Sequence, residues 1–219
     1  MLKKIRIILF VILITFPLIS FAHVEHYKDL NKIEFDIYRN NKLIGYHIFS
    51  FNNNDGLLEV ESEIKFEIKK LGVILYDYQV SGTEVYKDGN LVKFNSKTNQ
   101  NGKSKYFNIK YENNELVVDG SSYKGKAPSD YLIGTWWNHS LVKAPAQISA
   151  VSGRIIKQKV SFIGKENINF NGKKINALHF NFSSTDPNLS KGKKLNTDVW
   201  YDEETLNWVK ATFKKKGNW

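Results

Sequence analysis

Leu58-Glu59-Val60-Glu61-Ser62-Glu63-Ile64-Lys65-Phe66-Glu67-Ile68-Lys69 alternates without a break. Leu58, Val60, Ser62, Ile64, Phe66 and Ile68 fall on one side, and Glu59, Glu61, Glu63, Lys65, Glu67 and Lys69 on the other. A side-chain period of two belongs to a β-strand with one face buried and one in water. The same period runs outward from this stretch. Ile33, Phe35 and Ile37 alternate with Glu34, Asp36 and Tyr38, and after Asn40-Asn41 a strand resumes over 43–51. Further strands are expected over 73–86, 91–99, 104–111, 116–118, 155–163, 166–170, 175–183, 197–201 and 208–214. Asp88-Gly89, Asn101-Gly102 and Asn171-Gly172 lie between such runs and suit the type I′ hairpin turn, which needs positive φ at both central residues; Asn113-Asn114 is a weaker signal of the same kind. No stretch holds a helical period over ten or more residues. The pattern predicts an all-β fold, a single antiparallel meander of roughly ten strands, strongly curved into an open or half barrel, because a sheet that wide curls, closes or splits into two layers.

One interval breaks the rhythm. Residues 121–147 hold two of the four prolines, Pro128 and Pro145, and the run Tyr131-Leu-Ile-Gly-Thr-Trp-Trp-Asn-His139. This reads as one long loop carrying a short helix near 129–133, with Ser129 as its N-cap. A long irregular connection inside a compact domain is often functional.

The N-terminus has a different composition. Lys3, Lys4 and Arg6 precede an apolar core from Ile7 to Ile19, and Ser20-Phe21-Ala22 puts small residues at −3 and −1 of a cleavage point. That is the pattern of a secretory signal peptide, and its core is shorter than the roughly 20 residues that span a bilayer. The expectation is a signal peptide over 1–22 and a single β-rich domain over 23–219, periplasmic or secreted and not membrane-spanning after cleavage. The chain has no cysteine. Neither a disulfide nor a lipid-attachment cysteine is therefore available, and packing alone must hold the fold. The formal net charge is +10 over the whole chain, which would suit acidic envelope surfaces such as lipid headgroups or anionic glycans, but the lysines are scattered and abundant alongside Asn and Ile, which fits a biased composition better. Nucleic acid is not an expected partner, since no zinc-finger, helix-turn-helix or RNA-binding pattern is present.

Candidate ligand-binding residues are the tryptophan-rich cluster Trp136, Trp137, Asn138 and His139, together with Trp200 and Tyr201. Adjacent tryptophans on an extended segment point to opposite sides, so one can plug the core while the other faces a groove. An indole N–H also demands a partner. Asp202 and Glu204 resemble a carboxylate pair for glycoside chemistry, but their clustering before Leu206 fits a turn better. Cleavage after Ala22 would leave His23 as the N-terminal residue with His26 close by, and an N-terminal imidazole with its amine is a copper-chelating arrangement. No P-loop, Gly-x-Ser-x-Gly, His-Glu-x-x-His or EF-hand loop is present, so no catalytic residue and no cofactor is assigned.

Several phrases, taken in order, carry a resemblance. They are Ile44-Gly45-Tyr46-His47, Glu84-x-Tyr86-x-Asp88-Gly89-x-Leu91, Thr98-Asn99-x-Asn101-Gly102, Trp137-Asn138 and Asp198-x-Trp200-Tyr201-Asp202. Together they resemble a family of exported bacterial proteins known as a domain of unknown function, family 6134. The resemblance implies a predominantly β protein and no particular activity. More loosely, a curved sheet over an apolar concavity is similar to periplasmic lipoprotein carriers. Three functions follow as expectations. The first is a non-catalytic periplasmic module for an apolar or amphiphilic envelope ligand, such as a lipid. The second is an interaction protein that binds an envelope protein through an exposed sheet edge. The third is a hydrolase acting on envelope glycan or lipid.

Overall fold

The computed structural model describes Tyr27 and residues 29–54, 56–190 and 192–213. The expected signal peptide lies outside the described residues. Among them the chain forms fourteen strands in two sheets. The first is an eight-stranded antiparallel meander in chain order: β1 (Lys32–Arg39), β2 (Lys42–Asn54), β3 (Leu57–Lys70), β4 (Val73–Lys87), β5 (Asn90–Gln100), β6 (Lys103–Glu112), β7 (Glu115–Gly120) and β8 (Lys124–Pro128). The second has six strands, ordered β14 (Trp208–Phe213), β13 (Asn196–Asp202), β12 (Lys173–Ser184), β11 (Ile155–Phe170), β10 (Ala146–Ile148) and β9 (Leu132–Ile133).

The fold is thus all-β and built on an antiparallel meander, as the alternation predicts. The meander does not close into a barrel. Of the alternatives open to a wide sheet, this chain takes the division into two layers, and the break falls in the interval that lacks alternation. That interval is not one loop. It holds β8, then β9, then a one-turn 3-10 helix over His139–Lys143, then β10. The helical turn sits ten residues beyond the expected place near Ser129, because Asn138 rather than Ser129 provides the cap: its Oδ1 accepts the Ser140 N–H at 3.0 Å. β9 pairs with β10 in parallel. The two strands expected over 155–163 and 166–170 are one strand, β11, with a bulge between Phe162 and Gly164.

The hairpin turns follow the chemistry of their residues. Asn40-Asn41, Asp88-Gly89, Asn101-Gly102, Asn113-Asn114 and Asn171-Gly172 all have positive φ at both positions. The principal core joins Phe49, Phe51, Val60 and Tyr86 of the first sheet to Phe182, Val199, Tyr201 and Trp208 of the second. Trp137 and Leu141 of the connecting segment fill the space between, beside Tyr27. A second cluster packs Phe94, Phe107, Ile109, Leu116 and Val118 beneath Ile133 and Ile148.

Candidate functional site

The Trp136–His139 segment is inserted between the sheets and fastened from both sides. Trp137 is fully buried. It meets Tyr27, Phe51 and Tyr86 edge-to-face, with ring centroids 5.1, 5.4 and 5.5 Å away. Its indole N–H donates to Glu84 Oε1 at 2.8 Å. The other oxygen of Glu84 accepts the Tyr86 hydroxyl at 2.6 Å. Burial pushes the Glu84 carboxyl above its ordinary range, against the pull of hydrogen bonds from Tyr86, Trp137 and Thr135. Glu84 is therefore an acidic residue in a core position, held among three polar neighbours.

His139 is also enclosed. Its backbone N–H donates to the Tyr27 hydroxyl at 3.1 Å, and its ring meets Tyr201 edge-to-face at 4.8 Å. The Tyr201 hydroxyl donates to the Trp136 carbonyl at 2.9 Å. Burial pushes the phenols of Tyr27, Tyr86 and Tyr201 upward, so each keeps its proton as a structural donor. Behind this segment, Gln158 Nε2 donates to the carbonyls of Leu141 and Ala144 at 3.2 and 3.1 Å, and Gln147 donates to Gln158 at 2.7 Å. Trp136 is only half-buried. Its ring lies against Trp208 and Phe213, at 5.8 and 6.3 Å between centroids.

Trp200 belongs to a different place. Tyr201 faces the interior, so Trp200, its neighbour in β13, projects from the opposite face of the sheet. There it stacks on His179 at 4.1 Å, carries the Lys210 ammonium 4.3 Å from its ring centroid, and donates its N–H to Glu166 Oε2 at 2.9 Å. His179 Nδ1 lies 2.7 Å from Glu166 Oε1, and Nε2 lies 3.3 Å from Asp198 Oδ1. Asn181 also donates to Asp198, at 2.9 Å. A carboxylate–histidine–carboxylate row invites an acid–base reading. Yet both imidazole nitrogens face carboxylates, leaving none to meet a substrate proton. The row ties β11, β12 and β13 together.

The six candidate residues are therefore not one site. Trp137, Asn138, His139 and Tyr201 converge in the interior, Trp136 lies at its margin, and Trp200 lies across the sheet. Asp202 makes a turn: its Oδ1 accepts the N–H groups of Glu204 and Thr205 at 3.1 and 2.8 Å. His23 and His26 lie outside the described residues. Among the described residues no group of three or more His, Asp or Glu is placed to hold a metal ion, and no helix is long and apolar enough to cross a membrane.

The surface carries a further feature, which alternation alone does not reveal. β2 leaves β3 at the Gly45–Phe66 pair, and β5 leaves β4 at the Tyr78–Gln100 pair. Residues 67–77 continue as a two-stranded ribbon, tipped by exposed Leu71, Val73, Ile74 and Leu75. Phe66, Tyr76 and Tyr78 stack along its base, with centroids 4.9 to 6.4 Å apart.

Residues 35–218 match the model of a family described as a domain of unknown function, DUF6134. No curated protein and no solved structure matches, so the likeness to lipoprotein carriers rests on no matched structure.

Proposed function

The chain belongs to the DUF6134 family, and from that premise we propose that it is an exported, periplasmic, non-catalytic module that binds an apolar or amphiphilic envelope ligand. The observation that carries the reading is the apolar tip Leu71–Leu75, four large hydrophobic side chains exposed together on a projecting ribbon. Contiguous exposed apolar surface on a soluble protein marks a binding site more often than chance packing. The ligand is taken on the surface. The space between the sheets, where a carrier would hold it, is occupied by Trp137, Tyr27 and Tyr201.

The polar clusters support the non-catalytic reading. Glu84 and the buried tyrosines are committed to holding the Trp136–His139 segment, and His179 is engaged at both nitrogens. Recognition through a sheet edge is less well supported. At the edges of the first sheet, β1 carries Lys32, Glu34 and Asp36 and a bulge at Ile37–Tyr38, while β8 carries Lys124, Lys126 and Pro128; these features blunt edge pairing there.

The test is calorimetric titration of the purified protein with a monomeric lysophospholipid, followed by mass spectrometry of the recovered lipid. The reading predicts saturable binding with a negative heat-capacity change and intact ligand. No binding, or a cleaved ligand, would contradict it.

A further inference from the structure

We propose that the β3–β4 ribbon is a docking finger for the surface of an anionic phospholipid bilayer; the proposal rests on the amphiphile-binding reading and names its target. Three observations converge. The first is reach. From the last laterally paired residues, Phe66 and Tyr78, the ribbon extends roughly 15 Å to its tip, at the rise of a β-strand. That exceeds the roughly 5–10 Å needed to bury an apolar element at the boundary of headgroups and acyl chains.

The second is strain without return. The β3–β4 turn has φ of 52° at Leu71 and 81° at Gly72, the same conformation as the other hairpin turns. Those turns place Asn or Asp at the first position, where a short polar side chain tolerates the left-handed region. Here a leucine occupies it and is 94% exposed. Trp136 and Leu206 also have positive φ, but their backbone groups are used: the Trp136 carbonyl accepts from Tyr201, and Leu206 bonds Asp202 and Tyr27. Leu71 gains no such packing in the folded chain. An outlier of this kind points to function.

The third is charge. In an antiparallel meander the β1–β2, β3–β4 and β5–β6 turns share one end of the sheet. That end carries Lys42, Lys69, Lys70, Lys103 and Lys105, and exposed Leu43 stands beside the β1–β2 turn. Of the acids nearby, Glu67 pairs with Lys69 at 2.6 Å and Asp77 accepts from Asn99 and Gln79; Lys42, Lys70, Lys103 and Lys105 outnumber them and leave that end basic. An apolar tip behind a collar of lysines matches acyl chains behind a layer of phosphates.

The experiment is co-sedimentation of the protein with vesicles of phosphatidylcholine, with and without phosphatidylglycerol, at low and high salt. The variants are Leu71→Asn and the double variant Lys69→Gln/Lys70→Gln. Binding is expected to phosphatidylglycerol vesicles and to fall about tenfold or more in phosphatidylcholine alone or in high salt. L71N should lose vesicle binding while its melting midpoint stays level or rises, because Asn-Gly suits the turn; this separates loss of docking from loss of fold. The double variant should show a reduced preference for phosphatidylglycerol. The proposal is overturned if L71N binds vesicles as the native chain does. It is equally overturned if L71N splits a lipid-free dimer, which would make the tip a contact between copies. Absence of vesicle binding alongside intact lysophospholipid binding would overturn the bilayer target and leave the amphiphile reading standing.

Discussion

The indole N–H of Trp137 donates to the carboxyl of Glu84 across 2.8 Å, with both residues sealed between the sheets. The bond joins the irregular connecting segment to the middle of the first sheet. Removing the ring should therefore open a cavity and strand a buried acid together. Trp137→Ala is predicted to cost about 3–5 kcal/mol in urea melts. Trp137→Phe keeps most of the volume and should cost about 1–3 kcal/mol, the penalty of an unsatisfied buried acceptor. A loss under about 1 kcal/mol for the alanine variant would show that the segment is not a core element.

Glu84 makes stability depend on pH. Its folded-state carboxyl lies above the ordinary value of 4.5. Below that value both folded and unfolded chains hold the proton. As pH rises the unfolded carboxyl ionises first, so the fold loses stability. Glu84→Gln removes this contribution and keeps the shape. As pH rises above 4.5 the variant should gain stability relative to the native chain, measured as denaturant midpoints. Parallel pH profiles would show that Glu84 is ionised in the folded state.

His47 works at the acid end. It packs among Phe35, Phe49 and Trp208 in tilted and edge-to-face contacts, with centroids 4.4 to 6.4 Å away, and burial pushes its imidazole down to about 3. The neutral ring is the one that fits. Its stabilising contribution is complete above 6.5, the ordinary value, and is lost as pH falls toward 3, because the unfolded chain takes up the proton first. His47→Phe should flatten the acid limb of the stability profile over that window. An unchanged limb would place the acid sensitivity elsewhere.

Trp200 and His179 should act as a unit. Their stacking predicts a coupling of about 0.5–1.5 kcal/mol in a double-mutant cycle of Trp200→Leu and His179→Leu. Additive effects would mean that Glu166 and Lys210, and not the stack, fix the indole.

Much of this fold is legible in the sequence. Alternation and Asn-Gly-type turns mark β1 through β7 and β11 through β14, because those strands are long enough to show their period. β9 escapes notice because Leu132-Ile133 is too short to have a period, and its parallel partners lie fifteen residues away. The short helix is expected in the right interval but ten residues too early, because a single 3-10 turn is fixed by Asn138 and by the buried Gln147 and Gln158, not by helical amphipathicity. Glu84 leaves a readable signal. It falls in phase with inward-facing Val80 and Tyr86, so an acid appears where the pattern demands an apolar residue. The Glu166–His179–Asp198 row leaves none, since it depends on cross-strand register and on the bulge at Phe162–Gly164. The ribbon is hidden for the same reason: its projection depends on where β2 and β5 stop pairing.

The most direct test of the account is methyl NMR of the folded protein during titration with a monomeric lysophospholipid. The account predicts that the methyl signals of Leu71, Val73, Ile74 and Leu75 shift saturably, while those of Val60, Leu141 and Val199 stay fixed. Shifts confined to the interior methyls, with the ribbon unchanged, would contradict it and move the ligand between the sheets.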